Sequence, residues 1–469
     1  MTTEFDLGLG GREMSNVQTS EIPHSRGKTM SRSRASLSVV MVTVLLDSVG
    51  FSMVMPVMPD LIRELTGVGL SAAATLGGWL LVVFALTQFV CAPILGNLSD
   101  RYGRRPVLLY SLFAFGVDYM VMGLAPTIGW LFLGRIMSGI PGASFSAATA
   151  YVADISAPES RAKNFGLVAS ASAAGFVIGP AFGGLLGILG TRAPFLAASA
   201  LAFANFAFGF FVLRESLRPE SRRAFSWARA NPVGSLVQLR KHRQVLGLAL
   251  ALMLWWLAIQ AYPTTWSFYT KFQFGWSQAM IGLSLAAYGG VIAFSQARLP
   301  QVVLPRLGER RTVVYGLLLV GLAFVGQSFS VEGWQLFAWV PVWFLASLAM
   351  PTMNAMMSKQ VPADEQGELQ GANASLFGIS SIIGPFVFAQ LFGTFSASTA
   401  PVFFPGMGFL VAGLISVAAA TLVVVTIRKA PPSPERLGEP GAAIGPSIED
   451  AIAQADGGEG LRSEEVSTP

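Results

Sequence analysis

The chain is written as a succession of apolar runs of about 20 residues, separated by short polar stretches. A run of that length crosses the roughly 30 Å hydrocarbon core of a bilayer as one α-helix. Inside lipid each backbone N–H and C=O must be satisfied within the segment, so such runs are restricted to helix. Twelve spans are predicted. The first six lie near 36–59, 75–97, 106–126, 128–153, 163–190 and 193–213. The second six lie near 244–265, 279–300, 312–330, 335–358, 368–393 and 402–427. The third and fourth are nearly continuous, with Ala125, Pro126 and Thr127 supplying the turn. Only 12% of the residues are charged and 53% are hydrophobic. A soluble fold carries about 25% charged residues, so the expectation is an all-α integral membrane protein. The 50 glycines fit, because small residues let membrane helices approach closely.

The positions of the basic residues predict orientation. Arg101, Arg104, Arg105, Arg161, Lys163, Arg306, Arg310 and Arg311 fall in loops on one side. The stretch 214–243 adds eight Lys or Arg to that side, and the tails add Arg34, Arg428 and Lys429. The opposite loops offer Arg63, Arg192 and Lys271. Positive loops stay cytoplasmic, so both termini and the long linker are expected in the cytoplasm. The net charge of +5 is then a topology signal, with nucleic-acid binding the weaker reading. The resulting division is a disordered tail at 1–35, a six-helix half at 36–213, a linker at 214–243, a second half at 244–428 and a Pro- and Gly-rich tail at 429–469. No short apolar run with a cleavage site precedes the first span, so no signal peptide is expected.

The chain matches itself at an offset of 205 residues. Gly103 falls on Gly308, Arg105 on Arg310, Gly166 on Gly371, and Gly179-Pro180 on Gly384-Pro385. Two parallel six-helix repeats predict a substrate site at the midplane between them and rocking of one half against the other. Enzyme chemistry has little support. The two histidines, His24 and His242, lie outside the spans, and Cys91 is alone, so neither a metal site nor a disulfide is expected. Gly27-Lys28-Thr29 lacks the earlier glycine of a phosphate loop, since position 22 is Ile22. No cofactor is expected, and an ion gradient is left as the energy source.

Five stretches carry a family resemblance. The loop Gly96-Asn97-Leu98-Ser99-Asp100-Arg101-Tyr102-Gly103-Arg104-Arg105-Pro106 resembles the signature loop of the major facilitator superfamily. In that family it is a cytoplasmic latch, which implies the role for Gly96, Asp100, Arg101, Gly103, Arg104 and Arg105, with Asp154 at the end of the fourth span. Gly175, Gly179, Pro180, Gly183 and Gly184 resemble the antiporter motif of its drug exporters. Leu46-Asp47-Ser48-Val49-Gly50, Val117-Asp118-Tyr119 and Gln366-Gly367-Glu368-Leu369-Gln370-Gly371 resemble the tetracycline-efflux branch, and the likeness runs over roughly residues 38 to 428. It implies proton-coupled efflux of small amphipathic molecules such as tetracycline-like drugs, by a monomer spanning the bacterial inner membrane many times. The alternatives are a carrier of a metabolite such as a sugar or organic acid, or a membrane receptor that transports nothing. The chain departs from the branch at three places: Gly290-Val291-Ile292-Ala293 holds no eighth-helix histidine, Thr312 to Ser330 holds no ninth-helix acid, and Gly142-Ala143-Ser144-Phe145-Ser146 is bulkier than the small-residue run expected in the fourth helix.

Charges inside the bilayer mark function by default. Here they are Asp47, Asp118 and Arg135. Asp47 can take a proton from one side and release it to the other, or it can be a structural carboxylate bonded to a neighbouring helix. Arg135 can modulate a carboxylate or fix helix packing, and Asp118 is its natural partner or a structural group. Substrate contacts are sought among Gln88, Gln260, Trp256, Trp266, Tyr288, Asn354 and Gln370, because polar and aromatic groups suit a flat amphipathic molecule. Each tryptophan can equally mark a membrane interface.

Overall fold

The computed structural model describes residues 25–142, 145–225, 243–362 and 365–428, and their regular elements are all helical. The first group comprises α1 (Ser25–Met53), α2 (Met58–Thr66), α3 (Leu70–Tyr102), α4 (Arg104–Gly123), α5 (Ile128–Gly142), α6 (Phe145–Ile155), α7 (Pro158–Leu186) and α8 (Ala193–Val212). The second comprises α9 (Arg243–Ile259), α10 (Ala261–Phe274), α11 (Gln278–Ser328), α12 (Gly333–Ala338), α13 (Val340–Ala346), α14 (Ala349–Ser358), α15 (Gln366–Phe395) and α16 (Met407–Arg428). Apolar side chains cover the outside, as lipid requires: Phe211 is 84% exposed and Leu189 79%.

Ten segments among the described residues are long and apolar enough to cross a membrane. Two features separate that count from the twelve expected spans. The expected eighth and ninth spans share one 51-residue helix, α11, which is broken at Gly308 by non-helical backbone (φ 69°, ψ 164°). At 1.5 Å per residue it is about 75 Å long, more than two bilayer cores. The expected fourth span is carried by α5 and α6, on either side of residues 143–144, and neither piece alone is long enough. The tenth span is also segmented: Pro341 opens α13, where its missing N–H breaks the helical ladder. The expected tails and most of the linker lie outside the described residues, with one difference. Residues 25–35, expected in the tail, continue α1. They contain no proline, and extending a formed helix costs far less than starting one.

Gly103 and Gly308 occupy equivalent places. Both have positive φ, 109° and 69°, where the chain turns sharply between two helices. A side chain there would be strained, so glycine is required.

Within the first group α1 packs on α7 and α8, α3 on α5, and α4 on α5 and α8. Within the second α11 packs on α13 and α16, and α9 on α15 and α16. The groups meet where α3 lies against α15 and α7 against α11. At the end carrying Gly103, each group has its own buried cluster: Leu37, Val107 and Tyr151 in one, Val245, Val313 and Met353 in the other. At the opposite end one continuous cluster, with Leu61, Leu80, Trp266 and Phe409, joins them. The molecule is therefore sealed at that end and divided at the Gly103 end.

Candidate functional site

That division leaves a cavity of about 550 Å³ between the groups. It runs from Met55 and Pro263 towards Val40, Leu108 and Leu213, which lie near the Gly103 end. Helical spacing builds its walls. Asp47 and Phe51 are one turn apart on α1, Phe84 and Gln88 one turn apart on α3, and Phe377, Ser381 and Pro385 recur every fourth residue on α15. Phe51 lies 5.5 Å from Phe84 and 6.0 Å from Phe176 between ring centres, giving an aromatic wall beside the Asp47 carboxylate. Gln88 donates to the Gly142 carbonyl at 2.8 Å, and Gln260 lies on the facing group.

Asp118 and Arg135 lie behind this wall, 0% and 4% exposed, on α4 and α5. They are electrostatic neighbours, with Ser138 beside Asp118 and Tyr119 within reach of Asp47, Asp118 and Arg135. Arg135 faces a smaller cavity of about 40 Å³, bordered by Phe51, Met55, Leu81 and Pro263 and thus adjoining the large one.

The other residues sought for substrate contact lie elsewhere. Trp256 packs its ring on Phe377 at 5.6 Å, one layer behind the cavity surface. Trp266 (1% exposed) donates to Ser284 Oγ at 3.0 Å, and the Tyr288 hydroxyl accepts from Gln327 Nε2 at 3.0 Å while donating to the Leu336 carbonyl. Both belong to the sealed end's core, where their polar tips are satisfied by neighbours and not aimed at the cavity. Asn354 accepts from Asn373 Nδ2 at 3.1 Å. Gln370 is exposed at the start of α15. Composition alone drew attention to these groups; the four-residue stripes on α1, α3 and α15 were the signal that marks the wall residues Phe51, Phe84 and Phe377.

The loop around Gly103 forms a compact polar knot. Arg104 Nε bonds Asp154 Oδ2 at 3.3 Å, and its Nη1 bonds Asp100 and, at 3.1 Å, Ser99 Oγ. Arg105 donates to the carbonyls of Leu213 and Phe210, both at 2.7 Å. Glu215, a residue the motif does not contain, accepts the Arg104 and Arg105 backbone N–H groups at 2.9 and 3.2 Å. These are free donors at the first turn of α4, where a carboxylate also meets the positive end of the helix dipole. Arg101 sits over the Tyr102 ring at 5.1 Å, and Gly96 lies within the last two turns of α3.

The glycines of α7 have a clear division of labour. Gly175, Gly179 and Gly183, one turn apart, face α1. A methyl on Gly175 would meet Ser48 Cβ at 2.5 Å, and methyls on the other two would collide with Ser52 Oγ and the Met53 carbonyl. Gly184 faces α11, where a methyl would lie 2.5 Å from the Gln278 carbonyl, and the Pro180 carbonyl leaves no room for a side chain at Gly282.

The Major Facilitator Superfamily model matches residues 40–385 and 273–455. The tetracycline resistance protein, class C, of Escherichia coli is 40% identical over 368 residues, covering 78% of this chain and 92% of its own length. The class G protein of Vibrio anguillarum is 38% identical, over 76% of this chain and 91% of its own. Among solved structures, a bacterial homologue of the human lysosomal transporter Spinster aligns with a TM-score of 0.68 at 16% identity, over 84% of this chain and 96% of that one. The human organic anion transporter MFSD10 aligns at 0.63 and 23%, over 83% and 99%. The helical architecture, the signature loop and these matches agree: the chain belongs to the Major Facilitator Superfamily, with the tetracycline resistance proteins as its relatives.

Proposed function

We propose that the chain exports small amphipathic molecules, tetracycline-like drugs among them, in exchange for protons. It is a multi-pass protein of the bacterial inner membrane. The observation that carries the proposal is Asp47: a carboxylate on the aromatic wall of a cavity that lies between two helix groups and points to one end of the molecule. Aromatic faces and apolar side chains give a flat drug its contact area, and Gln88 and Gln260 offer hydrogen bonds from opposite groups. Asp47 accepts a proton when the cavity faces the acidic side and yields it on the other. Asp118 and Arg135 set the charge balance behind it. Coupling rests on these three groups, because the ninth-helix acid of the tetracycline-efflux branch is absent here.

In this reading the membrane part has twelve spans: eight of the ten continuous segments before and after α11, two within α11 on either side of Gly308, one across α9 and α10, and one across α5 and α6. Residues 36–213 and 244–428 form the two halves, joined by the linker at 214–243, and both termini are cytoplasmic. The Gly103 end then faces the cytoplasm and the cavity is loaded from inside, as an exporter requires. The knot of Asp100, Arg104 and Asp154 is the latch, and Gly175, Gly179, Pro180, Gly183 and Gly184 keep the interface at α7 close-packed.

The test is proton movement in inside-out vesicles with an acidic interior. Adding a transported drug is expected to raise the internal pH, and Asp47→Asn vesicles are expected to show no rise. Equal responses in both would refute proton exchange through Asp47.

A further inference from the structure

We propose that Asp60 is the hub of a gate at the sealed end of the molecule, holding the two helix groups together there and releasing them when the cavity turns to face the other side. The proposal rests on the alternating-access reading given above.

Asp60 stands in the first turn of α2. Its neighbours Leu61 and Ile62 are fully buried, so α2 is seated firmly on its own group. The carboxylate reaches across to the other group. Oδ2 accepts from Lys271 Nζ at 2.9 Å, at the end of α10, and from Gln278 Nε2 at 2.7 Å, in the first turn of α11. The Asp60 and Lys271 side chains are 17% and 21% exposed, enclosed enough for the pair to escape full screening by salt. Bonds to an ionised acceptor are roughly twice as strong as neutral ones.

Gln278 is itself held in place. Its backbone carbonyl lies against Gly184 and its side chain against Gly187, and a methyl at either glycine would collide with it. Gly184 near the end of α7 and Gly187 just beyond it thus leave the space in which Gln278 can turn towards Asp60. This links the glycine-rich helix to the gate through one residue. Two neutral bonds also cross the groups at this end, Ser396 to Ser71 at 2.7 Å and Ser267 to the Met55 carbonyl at 3.2 Å. Hydroxyl donors exchange such partners readily for water. A carrier must pass between two states of similar free energy, and a small set of polar bonds that water can replace suits a surface that must part repeatedly.

The gate is tested by pulsed spin-label distance measurement on the full chain in nanodiscs, with Cys91→Ser as background. Labels at Arg63 and Thr399, exposed on the two groups, report the separation at this end. The unmodified gate is expected to give one dominant short distance. Asp60→Lys, which sets two positive charges face to face, is expected to make a longer distance the majority. The exchange Asp60→Lys with Lys271→Asp is expected to restore the short one. A second label pair at Arg63 and Ile188, both on the first group, is expected to stay constant in every variant, which separates opening from misfolding. An unchanged Arg63–Thr399 distance in Asp60→Lys, or no restoration in the exchanged pair, overturns the proposal. If these distances shift as expected while vesicles move none of the drugs tested, the gate stands and the efflux reading fails.

Discussion

A carboxylate is retained in a membrane helix only where something offsets its loss of water, and Asp47 faces a cavity and not lipid. Asp47→Asn keeps the shape of the side chain and removes the exchangeable proton. Uphill drug transport is expected to fall by at least an order of magnitude while the protein still reaches the membrane, as drug accumulation in energised vesicles would show; full activity would sink the assignment. Gly103 has a positive φ and lies against the Glu215 carboxylate, so Gly103→Val meets both backbone strain and a collision. Strain of this kind costs on the order of 1–3 kcal/mol, and a slower transport cycle at unchanged expression is the expected result. Glu215→Ala removes the acceptor for two N–H groups at the start of α4. The loss of a helix cap costs about 1 kcal/mol, so a smaller slowing than for Gly103→Val is expected, with Glu215→Gln recovering part of it.

At the scale of elements, the closest contacts are between helices that carry glycine. Gly183 is the tightest point of α7 on α1, because the Met53 carbonyl occupies the space a side chain would need. Backbone cannot yield as a flexible side chain can, and overpacking costs roughly 1–3 kcal/mol. Gly183→Val is therefore expected to lower the thermal unfolding midpoint in detergent, whereas Gly166→Ala, on the same helix but with no atom within 4 Å, is expected to leave it unchanged. Equal midpoints for Gly183→Val and the parent would show that α7 can move away from α1 freely. Gly308 bends α11 into two arms, at a positive φ of 69° where a side chain would be strained.

For the whole molecule, orientation is the property on which loading from the cytoplasm depends. In the Cys91→Ser background, Ser398→Cys is expected to react with a membrane-impermeant maleimide in intact cells. Arg306→Cys, at the Gly103 end, is expected to react only after the membrane is opened. The reverse pattern would place the cavity mouth outside and turn the proposed export into uptake.

The helical architecture and the bilayer as its solvent were legible in the sequence, because a run of about 20 apolar residues has one stable solution in lipid. The signature loop was legible too, since its Asp100–Arg104 pair spans a single helical turn and Gly308 repeats the Gly103 turn. Asp47 stood out because an acid is rare in such a run. The cavity wall was only half legible: one-turn stripes such as Asp47–Phe51 and Phe84–Gln88 have a sequence signature, but which stripe faces the cavity and which faces lipid depends on the neighbouring helix. Trp266 and Tyr288 look like ligand contacts by residue type, and tertiary packing instead ties them to Ser284, Gln327 and Leu336 in the core. Glu215 and Asp60 could not be singled out at all, because their partners lie more than 100 residues away, at Arg104 and at Lys271 and Gln278. The lipid solvent, the helical fold and the Gly103 turn are each matters of local chemistry. Which end is sealed follows from which distant surfaces touch, and no local pattern encodes it.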